Sequence, residues 1–251
     1  METDKKSMYD LREKLILSVD LDDTAAAYTL IDKLASHLKY YKIGLQLITK
    51  DGPRMVMALK RKSLKIFYDA KFYDIPQTVY NASYEATRLG VNMMNVHASG
   101  GPVMIAKAKE GIQAASDKLQ IEKPLLLAVT VLTSMETKDI KKIFDVKYSA
   151  KEMVLRLATM AKKAGADGVV CSPQEIKIIK KELGKDFVVV TPGIRLDKAN
   201  KDDQKRTMNP KEAIAAGADY IVIGRPILQA VDKLAMIEKI LKMIKEGYNH
   251  E

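Results

Sequence analysis

Cysteine is nearly missing from this 251-residue chain, and the single one, Cys171, excludes an intrachain disulfide and fits a reducing compartment. It sits in Gly168-Val169-Val170-Cys171, where a buried strand thiol is expected rather than a nucleophile. Aromatic residues make up only 6% of the chain, and nothing resembles a stacking platform for nucleic acid. No run approaches the ~20 apolar residues that a membrane span needs. The charged start Met1-Glu2-Thr3-Asp4-Lys5-Lys6 lacks the apolar stretch of a secretory signal. The expectation is a soluble, cytoplasmic protein. No glycine/serine linker or low-complexity segment divides the chain, so one domain over residues 1–251 is expected.

What the chain does have is core material and positive charge. Hydrophobic residues make up 47% of it, ample for a large core, and the formal charge is +10. That charge would suit a nucleic acid or an anionic small substrate. The lysines, however, are spread over helix faces such as Lys177-Ile178-Ile179-Lys180-Lys181. A solvated surface with modest electrostatic help for an anionic substrate is the reading they support.

Short β-branched runs fall at residues 15–20, 40–44, 64–69, 91–97, 125–131, 168–171, 187–191 and 220–224, each followed by an amphipathic or polar stretch. After Asp23 and Thr24, suitable N-cap residues, Leu30, Ile31, Leu34, Ala35 and Leu38 recur at helical spacing. Residues 149–164 form the clearest helix after mid-chain. Strict β-then-α repetition implies a parallel sheet, and eight units in this length match a closed α/β barrel of the (β/α)8 type. A doubly wound open sheet is the structural alternative. No Gly-x-Gly-x-x-Gly turn follows the first strand, which counts against its dinucleotide-binding form.

Polar residues gather at the C-terminal ends of these strands, where such barrels keep their chemistry. Asp20 ends the first, Lys42 lies near the end of the second, Asp69 and Lys71 close the third, and His97 ends the fourth. Thr133 and Ser134 follow the fifth, Pro192 to Arg195 the seventh, and Gly224-Arg225 the eighth. Asp69 and Lys71, two apart on a strand, share a face, and holding both inward costs desolvation unless they pair. Pro76 closes this strand and opens a helix, so Asp74 sits on the loop, able to reach outward. At the last strand, Gly224 lets backbone approach an anion, Arg225 offers a bidentate fork, and Pro226 suits a first helical turn. The polar stretch from Asp197 to Arg206 is too long for a tight barrel turn and reads as a lid or as a surface loop.

The motifs that carry this pattern are Ser18-Val19-Asp20, Lys42-Ile43-Gly44, residues 69–78 (DAKFYDIPQT), Asn95-Val96-His97-Ala98-Ser99-Gly100-Gly101, Leu132-Thr133-Ser134, Thr191-Pro192-Gly193-Ile194-Arg195, Asp203-Gln204-Lys205-Arg206 and Ile223-Gly224-Arg225-Pro226-Ile227. In this order they resemble orotidine 5′-phosphate decarboxylase of the bacterial-style branch. Ala70, Tyr73 and Gln77 depart from its usual residues without removing a proton carrier. The resemblance implies loss of CO₂ from C6 of orotidine 5′-phosphate to give UMP, with no metal or organic cofactor. It gives Lys71 the role of proton donor to C6, places Asp69 beside the departing carboxylate, and makes Lys42 and Asp74 the rest of the charge array. Asp20 resembles the ribose-binding aspartate, Thr133 and Ser134 the pyrimidine-contacting pair, and Pro192, Arg195, Gln204, Gly224 and Arg225 belong to the segments that grip the phosphate. A homodimer is implied, with Asp74 and Thr78 entering the neighbouring site.

Two other readings have distinct signatures. A barrel of the Mg²⁺-dependent 3-keto-gulonate 6-phosphate decarboxylase or hexulose-phosphate synthase type shares the Asp-x-Lys-x-x-Asp motif but needs an acidic ligand near the end of the second strand. Lys42 stands there instead. A non-catalytic nucleotide or nucleic-acid binder would use the positive charge but leaves the Asp69/Lys71 pairing unexplained.

Overall fold

The computed structural model describes residues 11–196 and 207–249. Eight parallel strands close into a barrel in sequence order: β1 (Leu15–Ser18), β2 (Tyr40–Gly44), β3 (Lys65–Phe72), β4 (Met93–His97), β5 (Leu125–Val129), β6 (Gly168–Val170), β7 (Val188–Thr191) and β8 (Tyr220–Ile223). All eight expected strands are present, and β8 pairs with β1 to complete the ring.

Two-residue periodicity explains how the barrel fills. Ile16, Tyr40, Phe67, Met93, Leu127, Val190 and Val222 form a cluster made of strand residues alone, the packed interior. Their neighbours of opposite parity, such as Leu15, Leu17, Tyr41, Ile43, Ile66 and Val96, join the second core between the strands and the helix ring. There they meet Leu30, Ile31 and Leu34 of the helix Thr24–Leu34. Asp23 caps that helix, its carboxylate accepting from the N–H groups of Ala25 and Ala26. Ser149 and Glu152 form a reciprocal capping box before the helix Ala150–Lys163, matching the expected span.

Moving two residues along the inward rows changes their chemistry. Ile16 is followed inward by Ser18, Tyr40 by Lys42, Phe67 by Asp69, and Met93 by Asn95. The apolar plug thus gives way to a polar layer at the C-terminal rim, which is how the fold brings charged groups to one place.

Strand ends differ from expectation in an instructive way. The first, fifth, sixth and eighth strands stop one or two residues early as ladders. Single bonds such as Val19 N–H to the Lys42 carbonyl and Thr130 N–H to the Val170 carbonyl extend the pairing past them. The third strand runs longer than residues 64–69, continuing to Phe72. It does so through an irregularity: Tyr68 pairs with Met94 and Phe72 with Val96, four steps along β3 against two along β4. Within that bulge Lys71 adopts a left-handed backbone, φ 50°. The loop that follows carries Asp74 and enters the helix Pro76–Arg88, with proline in its first turn as expected. Among the described residues, no helix is long and apolar enough to cross a membrane.

Candidate active site

The strand ends enclose a cavity of about 240 Å³ at the C-terminal mouth of the barrel. Asp20, Lys42, Asp69 and Lys71 line it from the ends of β1 to β3, and Gly193, Arg195, Gly224 and Arg225 from the loops after β7 and β8. Phe67, Val129, Val170, Cys171 and Val222 supply apolar surface between them.

Along the ends of β1 to β3, opposite charges alternate. Lys42 Nζ lies 3.2 Å from Asp20 Oδ1 and 3.0 Å from Asp69 Oδ2, and Lys71 Nζ lies 2.7 Å from Asp69 Oδ1. Asp20 is further tied by Ser18 Oγ, which donates to its Oδ2 at 2.6 Å. Asp69 is buried, and burial works to raise its pKa, yet Lys42, Lys71 and the hydrogen bonds from Lys71 and Asn95 bring it below the ordinary carboxylate value. For Lys42, burial works to lower the pKa, and the carboxylates of Asp69 and Asp20 carry it above the ordinary value instead. Both groups are therefore held ionised by each other. His97, at the end of β4, is pushed down first by burial and then by the nearby Lys71 ammonium, with Asp69 opposing, so its neutral form is favoured.

The bulge in β3 gives this arrangement its geometry. A left-handed backbone at a non-glycine residue costs on the order of 1–3 kcal/mol and persists only where surrounding contacts demand it. At Lys71 the demand comes from Asn95, whose Oδ1 accepts from the Lys71 N–H at 2.7 Å. The same asparagine donates from Nδ2 to Asp69 Oδ1 at 2.6 Å.

The rim after β7 and β8 is shaped by glycines. Gly193 has φ 79°, a conformation that favours glycine, and turns the chain after β7 so that Arg195 lines the cavity. Arg195 is anchored through its N–H to the Met208 carbonyl at 3.0 Å. At Gly224 a Cβ would lie 3.2 Å from Ser18 Cβ and 3.4 Å from the Ser18 carbonyl oxygen, so the end of β8 passes close over the end of β1. The helix that starts at Arg225 has four residues, Arg225–Leu228. So short a helix carries little dipole, and attraction for an anion here rests on the arginines and local N–H groups.

A family model described as "Orotidine 5′-phosphate decarboxylase / HUMPS family" matches residues 13–240. The chain belongs to this family. An orotidine 5′-phosphate decarboxylase of Coxiella burnetii is 46% identical over 232 residues, covering 92% of this chain and 97% of the relative. One from Trichlorobacter lovleyi is 44% identical over 238 residues, covering 95% of this chain and 98% of the relative. Among solved structures, orotidine 5′-phosphate decarboxylase from Lactobacillus acidophilus superposes with a TM-score of 0.82 at 38% identity, covering 92% of this chain and 99% of the other.

Of the residues singled out by the sequence, the cavity brings together Asp20, Lys42, Asp69, Lys71, Thr133, Pro192, Arg195, Gly224 and Arg225. It does not bring in Ser134, which is exposed beside Thr133. Asp74 and Thr78 are exposed outside it, with Asp74 Oδ1 accepting from the Ile75 N–H at 2.6 Å. Gln204 lies outside the described residues, as does the rest of the polar stretch at 197–206. Cys171 is buried as expected, but just past the end of β6 and against the cavity. Ser18 and Asn95 stood within recognisable motifs: Ser18 reaches Asp20 two residues on along its own inward row, whereas the contacts of Asn95 depend on pairing between β3 and β4, which the inward parity of residues 93, 95 and 97 only hints at.

Proposed function

We infer that this protein is a decarboxylase that converts orotidine 5′-phosphate into UMP, and that its own side chains supply the chemistry without a metal or organic cofactor. The observation that carries the reading is the alternating chain Asp20–Lys42–Asp69–Lys71 in a cavity that Arg195 and Arg225 also line. Phosphate is gripped between the loops after β7 and β8, the usual anion end of such barrels. Gln204 adds a neutral hydrogen bond, Asp20 holds the ribose, and Thr133 meets the pyrimidine.

With the phosphate so placed, C6 and its carboxylate lie over Asp69 and Lys71. The C6–carboxylate bond breaks, its electron pair stays on C6, and CO₂ leaves. Lys71 Nζ delivers a proton to C6 and recovers one from water. The pair left on C6 is poorly delocalised, so fixed positive charge near it is the main aid available to the protein. Lys42 keeps Asp69 ionised, and Asp69 in turn holds the Lys71 ammonium aimed into the cavity.

A second, smaller opening of about 200 Å³ beside the array is lined by Lys42, Asp69, Lys71, Gly44 and Leu45. We propose a homodimer in which the exposed loop carrying Asp74, flanked by the exposed apolar Tyr73 and Ile75, reaches this opening in the second copy together with Thr78. The chain then works in the cytoplasm as one catalytic barrel spanning residues 1–251.

The Mg²⁺-dependent alternative fits the residues less well. The space between the Asp20 and Asp69 carboxylates is filled by Lys42 Nζ, and among the described residues no group of three His, Cys, Asp or Glu side chains is arranged to hold a metal ion. A non-catalytic binder has no use for a buried Asp–Lys array. The test is the loss of orotidine 5′-phosphate absorbance in chelator-treated buffer. Turnover there supports the reading, and turnover that appears only on adding Mg²⁺, or none at all, overturns it.

A further inference from the structure

Asn95 lies on β4, opposite the bulge of β3, and is fully buried. A buried primary amide must satisfy both its ends, and this one does so on two neighbouring members of the array. Its oxygen accepts from the Lys71 N–H at 2.7 Å and its nitrogen donates to Asp69 Oδ1 at 2.6 Å. The orientation of the amide is thereby determined, because reversing it would set oxygen against carboxylate and NH₂ against N–H. Asp69 Oδ1 is also the atom that holds Lys71 Nζ. One side chain therefore braces the donor lysine at its backbone and its counter-ion at the oxygen that aims it.

The need for such a brace follows from the bulge. Between the pairs Tyr68–Met94 and Phe72–Val96, β3 carries three residues where β4 carries one, so the Lys71 N–H falls within the bulge and outside the regular ladder. Asn95 Oδ1 supplies the acceptor there, and Lys71 is held at φ 50°. We propose that Asn95 is a positioning residue for proton delivery: it holds Lys71 in its left-handed conformation and fixes the Asp69 oxygen that directs the Lys71 ammonium. This rests on Lys71 being the proton donor to C6. Asn95 is fully buried and lines neither opening of the site, so it acts through Lys71 and Asp69.

Two substitutions separate this role from plain packing. Asn95→Ala removes both bonds, and the nearly isosteric Asn95→Asp keeps an acceptor for the Lys71 N–H while setting a second carboxylate against Asp69. The assay is decarboxylation of orotidine 5′-phosphate at saturation, together with the Kd of UMP, whose phosphate and ribose contacts lie elsewhere in the cavity. Both variants are expected to lose roughly 100-fold in kcat, the scale of a misplaced reacting group, while binding UMP within about 3-fold of wild type. If either variant keeps kcat within about 10-fold, or if UMP affinity falls in step with kcat, the positioning role is overturned. Lys71→Ala, measured alongside, isolates the underlying reading. An active Lys71→Ala enzyme removes the proton-donor assignment and this inference with it, whereas an inactive one beside a fully active Asn95→Ala enzyme refutes only the role of Asn95.

Discussion

Replacing Asp69 by asparagine removes the centre of the charge chain while keeping its volume, and the structure says how much that should cost. Asp69 exposes 9% of its side chain and Lys42 12%. Lys71, at 28%, can turn toward water, so the stranded charge is chiefly Lys42. Removing one partner of a buried pair costs about 3–5 kcal/mol because the other charge is left uncompensated. Lys42 retains Asp20 at 3.2 Å, but that carboxylate is 59% exposed and its attraction is screened by solvent. The loss should therefore fall at the lower end, about 3 kcal/mol, or roughly 6–12 °C in Tm for a chain of this size. The pH dependence gives a second handle. Asp69 has a folded pKa below its unfolded value near ~3.9, so its contribution is fully present above that value and is lost as the pH falls through the folded pKa. Urea unfolding should show a wide gap between wild type and Asp69→Asn at about pH 7 that narrows steadily below about pH 4. A gap under about 1 kcal/mol at neutral pH, or one of the same size at both pH values, would refute the reasoning.

Other substitutions probe the site piece by piece. Lys71→Ala should abolish decarboxylation with the circular dichroism spectrum unchanged, since a rim residue carries little core packing; near-normal turnover would remove its assignment. Arg225→Ala should harm orotidine 5′-phosphate far more than orotidine, because its binding energy acts through the phosphate, and Gln204→Ala should do the same more weakly; equal losses on both substrates would end the phosphate role. Mixed Lys71→Ala and Asp74→Ala subunits should recover about half of wild-type activity per heterodimer, since one of two shared sites is then intact. A mixture that exchanges subunits yet stays inactive would place Asp74 within its own site.

Much of this was legible in the residues. All eight strands were marked by β-branched runs, and the polar strand ends pointed to one rim because a closed parallel barrel leaves them nowhere else to converge. The pairing of Asp69 with Lys71 followed from desolvation cost alone. What the chain did not disclose was the means. Two-residue alternation puts residues 69 and 71 on one face, but the bulge that takes Lys71 to φ 50° has no glycine to announce it. The amide of Asn95 supports it from another strand, and cross-strand register is not written in local pattern. In the sequence Gly224 signals room for an anion, and the structure adds the crowding of Ser18 beneath it. Strand ends were overestimated where single hydrogen bonds outlast the ladder, because sequence reports a β-rich stretch and not the point at which its neighbour departs.

The central claim is that a proton from an exchangeable side-chain donor replaces the carboxylate at C6. Proton NMR of the product formed from orotidine 5′-phosphate by the wild-type protein in chelator-treated D₂O tests it most directly. Lys71 Nζ exchanges with solvent, so the account predicts UMP carrying one deuterium at C6 and ordinary hydrogen at C5. Absence of UMP, ordinary hydrogen rather than deuterium at C6, or deuterium entering C5 would contradict it.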